Sequence, residues 1–372
     1  MRRKKLSEKD IKKRRTIVII SMFVATFLLA SGYAAFSTVL NIDAKGNLIE
    51  VPKISPSDMI APKNIVTTGD GLYADSVETG RYVFKGQNPN NYITIGDEEY
   101  RIMAIETDGS LKVIKNDGIN NNATFPWDSG YFTSIAGVTE ADSVTGTRYS
   151  NVSTGFCYQS SGTESSYYGC KSWGSSTTTL DSNGNNVTEM PKEAGNATTY
   201  DLPTTEAYVN TYLNTTYLNA LLAKIDVNKR AYIEEHNFNI GPVANTVNQT
   251  LATEMSQEAA YKWKGKVGLM TSTEYVKAST NSACTSVREY YNTSVCYNNS
   301  TTHNFLAKSY NQWTMSPYSN SGSTLVWRVI SAGTLTSNFG ATNYSGVRPV
   351  LYLSADVKLK GKGTSSNKYE IA

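Results

Sequence analysis

The chain has 372 residues, with 35 Lys and Arg against 32 Asp and Glu and a formal net charge of +3. That balance averages two unlike parts: the first fifteen residues carry nine basic side chains against Glu8 and Asp10, a local net of +7, and the rest carries −4. A mildly acidic body without a basic run excludes the electrostatic footprint of a DNA- or RNA-binding protein.

Residues 1–15 form a basic segment, and 16–42 follow without a single charge. A spanning helix needs about 20 apolar residues and a secretory signal an apolar core of about 7–15. Ile17 to Ala30 is the most apolar stretch, and Gly32 and Ala34 stand where a signal peptidase would read positions −3 and −1. A signal or transmembrane helix over 16–42 is therefore expected, with the basic segment in the cytoplasm. The membrane is a partner in either case. The body lies at the cell membrane as an extracellular C-terminal domain, or is secreted after signal cleavage. The run Gly32-Tyr33-Ala34-Ala35-Phe36-Ser37-Thr38, then Leu40-Asn41-Ile42, resembles the signal segments of many Gram-positive surface and biofilm-matrix proteins. That resemblance implies an address and not an activity.

Residues 43–79, with Pro52, Pro56 and Pro62, are expected to form an extended stalk. From Gly80 the pattern turns to strands: Arg81–Lys85, Tyr92–Ile95, Glu99–Glu106 and Leu111–Lys115, with Asp108-Gly109 as a hairpin turn. In Glu99–Glu106 the alternation puts Tyr100, Ile102 and Ala104 on one face. Residues 116–199 read as a long loop insertion with low-complexity runs such as Asn120-Asn121-Asn122, pinned where Trp127 and Trp173 pack down. Asp201 to Lys224 is the strongest helix, with Val209, Tyr212, Leu213, Tyr217, Ala220 and Leu221 on one face. Val267–Thr271 is a short strand, and Thr271-Ser272-Thr273-Glu274 fits a capping box opening a short helix through Lys277. Strands resume at Trp313–Ser316, Val326–Ile330 and Val347–Leu353, with Pro349 at an edge or bulge.

The four cysteines sit as two close pairs, Cys157/Cys170 and Cys284/Cys296. Of three possible connectivities the spacing favours these two local bridges. Each would contribute on the order of 3 kcal/mol in the chain-entropy model. The gaps are too wide for a zinc site, and the only histidines are His236 and His303.

The order of these elements, with Lys266 to Thr271, Trp313-Thr314-Met315-Ser316-Pro317, Gly346-Val347-Arg348-Pro349 and a closing strand within Gly361–Ile371, resembles a largely uncharacterised domain family of exported Gram-positive proteins. The family is related in fold to C-type-lectin-like domains and formylglycine-generating oxidases. The resemblance implies an α+β domain over 80–372, with small antiparallel sheets, one main helix and long irregular loops. It implies no defined activity.

No catalytic or metal-ligating set emerges from the residues. His236 and His303 lack a nucleophile turn nearby, and no phosphate-binding glycine loop occurs. No cofactor is expected. Calcium stays open, because lectins of that fold hold it with acidic and amide oxygens, although their typical tripeptides are absent and Gln87-Asn88-Pro89-Asn90 reads as a turn. Trp313, Trp327, Arg328 and Arg348 form a set that is either a binding site for a carboxylate or sugar ring or a structural signature, with Arg348 paired to a buried carboxylate. The expectation is a non-catalytic binding or adhesion-type module of the bacterial envelope with an unknown extracellular ligand, glycan or protein. The alternatives are a structural matrix or appendage subunit and a divergent formylglycine-generating-type oxidoreductase.

Overall fold

The structure, a computed structural model, describes residues 8–28 except 10, 11, 14 and 27, then 52–128, 157–160, 167–191, 193–194, 199–293, 296, 300–319 and 324–372. Two units divide the chain, Met1–Pro52 and Lys53–Ala372. In the first, residues 15–26 are helical with Ile17, Ile20 and Phe23 exposed. Among the described residues no helix is long and apolar enough to cross a membrane. The rest of the expected 16–42 segment, including Gly32 and Ala34, lies outside the described residues.

The second unit is mixed α+β and is organised on a ten-stranded sheet. Strands β1 (Gly71–Ala74), β2 (Tyr82–Lys85), β3 (Tyr92–Ile95), β4 (Glu98–Ile105) and β5 (Leu111–Lys115) form the expected antiparallel meander. The first half of β4 pairs β3, and its second half pairs β2. Val350–Leu353 joins the far side of β5, and Val267–Gly268 and Ile233–Glu234 pair with it in turn. The final strand Tyr369–Ile371 runs parallel to β3.

Strand β4 and the segment before β1 are both packed into the domain. Strand β4 has no solvated face: Tyr100, Arg101, Ile102, Met103, Ala104 and Ile105 are all buried. A helix covers one side, where the Tyr100 and Tyr217 hydroxyls meet. The Arg101 guanidinium stacks on Tyr92 and Phe305 on the other, at 3.7 and 5.0 Å. Nor do residues 53–79 form a stalk. Ile54 exchanges two backbone hydrogen bonds with Leu359, and Pro56–Met59 is a single helical turn with proline at its first position. Proline is tolerated there because that N–H would have no partner anyway, so the prolines that argued against helix start one.

The main helix, α1, runs without a break through Tyr208–Tyr212, a π turn Leu213–Tyr217 and Leu218–Ala223. It starts later than Asp201 because Thr199–Asp201 is a strand paired with Glu189–Pro191. Its start is set from outside: the buried Asp128 carboxylate accepts from Tyr208 N at 2.8 Å and from Cys170 N at 2.7 Å. The Asn214 amide, within the π turn, bonds both N–H and C=O of Val267 and so ties α1 to the sheet. Shorter helices follow, among them α2 (Leu251–Ala259), α3 (Ser272–Lys277) and α4 (Val287–Asn292).

The 116–199 segment carries more order than expected. Thr124–Pro126 joins a five-stranded sheet with Gln312–Pro317, Leu325–Val329, Leu335–Gly340 and Tyr344–Gly346. Cys157–Ser160 and Tyr167–Cys170 form a hairpin. Thr179–Asp181 joins Tyr261–Gly265 and His236–Asn239 in a three-stranded sheet. Asn120, Asn121 and Asn122 make a left-handed turn with φ of 49, 57 and 64°, a conformation that asparagine adopts more readily than other side-chain-bearing residues.

All five tryptophans are buried. Trp127, Trp313 and Trp327 each donate their indole N–H to a carbonyl, of Thr314, Phe125 and Val243. The first two bonds tie Gln312–Pro317 to Thr124–Pro126 within the five-stranded sheet, and the third joins that sheet to the segment around Val243. Trp327→Ala should cost about 3–5 kcal/mol, read as a lowered urea midpoint at unchanged m-value. A loss below about 1 kcal/mol would show that this indole does not hold the core together.

Candidate functional site: a polar cleft over a buried ion network

Five segments bring six charges together where the meander meets α3. Asp75 follows β1, Arg81 precedes β2, Glu106 follows β4, Lys112 lies on β5, and Glu274 and Lys277 belong to α3. The Arg81 guanidinium reaches Glu106 at 2.7 Å, Asp75 at 2.9 Å and Glu274 at 3.6 Å. Lys112 pairs with Glu274, and Lys277 with Asp75. Three bases meet three acids, and the side chains are between 0 and 14 % exposed. An unpaired charge at such burial would cost several kcal/mol, so each partner depends on the others being in place.

Ionisation follows from that pairing. Burial alone would raise Asp75 and Glu106, but Lys277 and Arg81 hold Asp75 below the ordinary carboxylate range and Arg81 does the same for Glu106. Burial would lower Lys112, and Glu274 overrides it and holds the ammonium up. Lys277 is pushed down by burial and by Arg81 in spite of Asp75.

Above the network lies a cleft of about 260 Å³. Tyr352, buried on Val350–Leu353, forms part of its wall and stacks on His236 with ring centroids 3.8 Å apart. His236 Nε2 lies 3.1 Å from the exposed Asp108 carboxylate. Asn237, Asn239 and Lys262 line the cleft from the three-stranded sheet. The capping box of α3 stands as expected, with Thr271 Oγ1 accepting from Glu274 N and Glu274 Oε2 accepting from Thr271 N. The same Glu274 turns its other oxygen to Lys112. The motif was legible in the sequence, but its second role was not, because Lys112 is 162 residues away.

Behind the cleft, α2 points two buried acids at two helix starts. Glu258 accepts from Ser272 Oγ at 2.8 Å, Thr273 N at 3.2 Å and Ser316 Oγ at 2.6 Å. The serine of Trp313-Thr314-Met315-Ser316-Pro317 thus anchors a carboxylate. Glu254, one helical turn earlier, accepts from Val287 N at 2.8 Å at the start of α4. Burial raises Glu258, although Ser316, Thr273 and Ser272 oppose it. Burial likewise carries Glu254 up to about 8.

The four residues singled out from the sequence lie elsewhere, all buried. Trp313 and Arg328 are cross-strand partners. The Arg328 guanidinium sits 2.9 Å from the Phe339 ring centroid and 5.9 Å from that of Trp313, and donates to Ser345 Oγ. Contrary to the expected pairing with a buried carboxylate, Arg348 has no such partner among the described residues. It donates instead to the carbonyls of Lys115 and Leu306 and to Gln312 Oε1, and burial lowers it to about 10. Cys284 and Cys296 are joined, with Cα atoms 5.3 Å apart. Cys170 is disulfide-bonded and stands opposite Cys157 in its ladder. Gln87 and Asn88 donate their backbone N–H groups to Asp70, as a turn does. Among the described residues no group of three or more His, Cys, Asp or Glu side chains is arranged to hold a metal ion.

Comparison with protein-family models, with curated proteins and with solved structures finds no match. Any functional reading therefore starts from the geometry above.

Two outcomes follow from these ionisations. Glu274→Ala removes a helix cap and strands Lys112, and should cost about 3–5 kcal/mol in chemical denaturation; a cost under 1 kcal/mol would mean the network does not couple α3 to the sheet. Glu254 binds its proton more tightly in the folded chain than in the unfolded one. Between pH 4.5 and about 8 the folded state holds the extra proton, so this group makes stability fall as pH rises, by at most about 1.4 kcal/mol per unit. Comparing urea midpoints of wild type and Glu254→Gln from pH 5 to 8 should show a flatter profile in the variant; parallel profiles would contradict it.

Proposed function

We propose that the chain is a non-catalytic binding module of a bacterial envelope, displayed at the membrane or released from it through its N-terminal segment. Its cleft over the ion network takes a neutral, polyhydroxylated ligand of the glycan class. The supporting observation is the mutual pairing of Arg81, Lys112, Lys277, Asp75, Glu106 and Glu274 beneath a cleft of about 260 Å³. Apart from the more exposed Glu78, 3.7 Å from Arg81, these charges cancel, so the floor offers alternating donors and acceptors in fixed positions without strongly selecting a ligand of one sign. Sugar hydroxyls donate and accept at once and suit such a surface. The stacked His236–Tyr352 pair adds an aromatic edge, and pockets of this kind use few, well-placed polar groups for orientation.

An oxidoreductase would need an accessible thiolate, and the bonded state of Cys170, Cys284 and Cys296 favours the binding reading over that alternative. The test uses the full-length protein on a glycan array, followed by calorimetry with the best ligand. The double variant His236→Ala/Asn239→Ala should bind at least about tenfold more weakly, a difference of about 1.4 kcal/mol. Failure to retain any glycan, or unchanged affinity in the double variant, would overturn the assignment. Concentration-dependent growth into polymers in sedimentation velocity would favour the matrix-subunit alternative.

A further inference from the structure

Lys277, whose ammonium pairs with Asp75, lines two cavities. On the side away from the cleft lies a groove of about 540 Å³, bounded by the segment around β1, the C-terminal end of α3 and the residues that follow it. Its composition is unlike that of the cleft. Thr67, Thr68, Ser76 and Ser282 contribute hydroxyls that make no intramolecular hydrogen bond among the described residues. Tyr73 contributes a ring, and Lys85, from the end of β2, contributes the charge, its ammonium 5.2 Å from the Tyr73 ring centroid.

Lys85 differs from the network lysines in having no acid. Among the described residues it makes no ion pair, although carboxylates lie in the same region. The Asp75 carboxylate is taken by Lys277 and Arg81. That of Asp70 accepts from the backbone N–H groups of Gln87 and Asn88. Glu78 faces Arg81 at 3.7 Å. Desolvating a half-buried ammonium is costly, and a single ring face offsets that cost less than an opposite charge does.

We propose that this groove is an anion-binding site: the Lys85 ammonium receives an oxyanion, a carboxylate or a phosphate ester, borne on a polyhydroxylated molecule that lies along Tyr73 and the hydroxyls of Thr67, Thr68, Ser76 and Ser282. The volume suits a sugar- or polyol-sized ligand better than a bare ion. The lowered basicity of Lys85, caused first by burial and only partly offset by Asp75, agrees with a cation that lacks its partner. This inference does not rest on the glycan reading of the cleft, because the two cavities share Lys277 but not Lys85 or Tyr73.

The test is calorimetric titration of the full-length protein with glucuronate, with glycerol 3-phosphate and with glucose. At least one charged probe should bind at least about tenfold more tightly than glucose. Lys85→Gln should lose that preference, and Lys85→Arg should keep most of it. Binding of glucuronate alone assigns a carboxylated sugar; binding of glycerol 3-phosphate alone assigns a phosphorylated polyol. His236→Ala, in the other cleft, should leave the affinity for the charged probe unchanged, which separates failure here from failure of the cleft assignment. Equal binding of glucose and both anions, no binding of either anion, or an unchanged preference in Lys85→Gln at unchanged thermal unfolding would overturn the proposal.

Discussion

The pairing of Arg81 with Asp75, Glu106 and Glu274 is the interaction on which the rest of this half of the domain depends. One guanidinium ties the ends of β1, β2 and β4 to α3. Lys112 and Lys277 complete the neutralisation. Taking these charges out of water costs several kcal/mol per ion, recovered only when every partner is present with good geometry. The network therefore specifies one arrangement of sheet and helix and stiffens it. The cleft is its polar surface on one side, and Lys277 also lines the groove on the other.

The neighbouring carboxylates show a different solution to burial. Among the described residues Glu254 and Glu258 accept no hydrogen bond from a cation and rely on backbone N–H groups and hydroxyls, chiefly at the starts of α4 and α3. Such donors stabilise a carboxylate less than an adjacent cation does, so desolvation wins and both acids shift upward. Three buried arginines outside the network follow the same logic with opposite sign. Arg101, Arg328 and Arg348 are held by neutral acceptors or aromatic faces, and burial brings each to about 10. The domain thus holds a mutually paired cluster beneath the cleft and several charges compensated only by neutral groups.

Local patterns were legible wherever their causes were local. Strand β5 and strand β3 match their expected bounds because alternation and the Asp108-Gly109 turn act over a few residues. The Thr271–Glu274 capping box is likewise a four-residue device. The misreadings have long-range causes. The start of α1 is set by Asp128, 80 residues away. Arg101, on which the sequence pattern is silent, is covered by Phe305 and Tyr92. Residues 53–79 read as a stalk because their partner strand Leu359–Lys360 stands some 300 positions later.

The amino-acid sequence by itself determined the uncharged, basic-flanked N-terminal segment, the antiparallel meander, the capped helix α3 and the local pairing of Cys284 with Cys296, because composition, two-residue periodicity and short chain separation are sufficient causes for each. Tertiary structure alone decided where the chemistry sits. The tryptophans and arginines that stood out along the chain were drawn inside, where the area they bury and the carbonyls they bond make them framework. Arg81, Lys112, Lys277 and Glu274, inconspicuous among ordinary surface charges in the sequence, became the floor of a cleft. Lys85 was left facing a groove without an acid, since pairing depends on which side chains folding brings within about 4 Å of one another, and no spacing along the chain reports that.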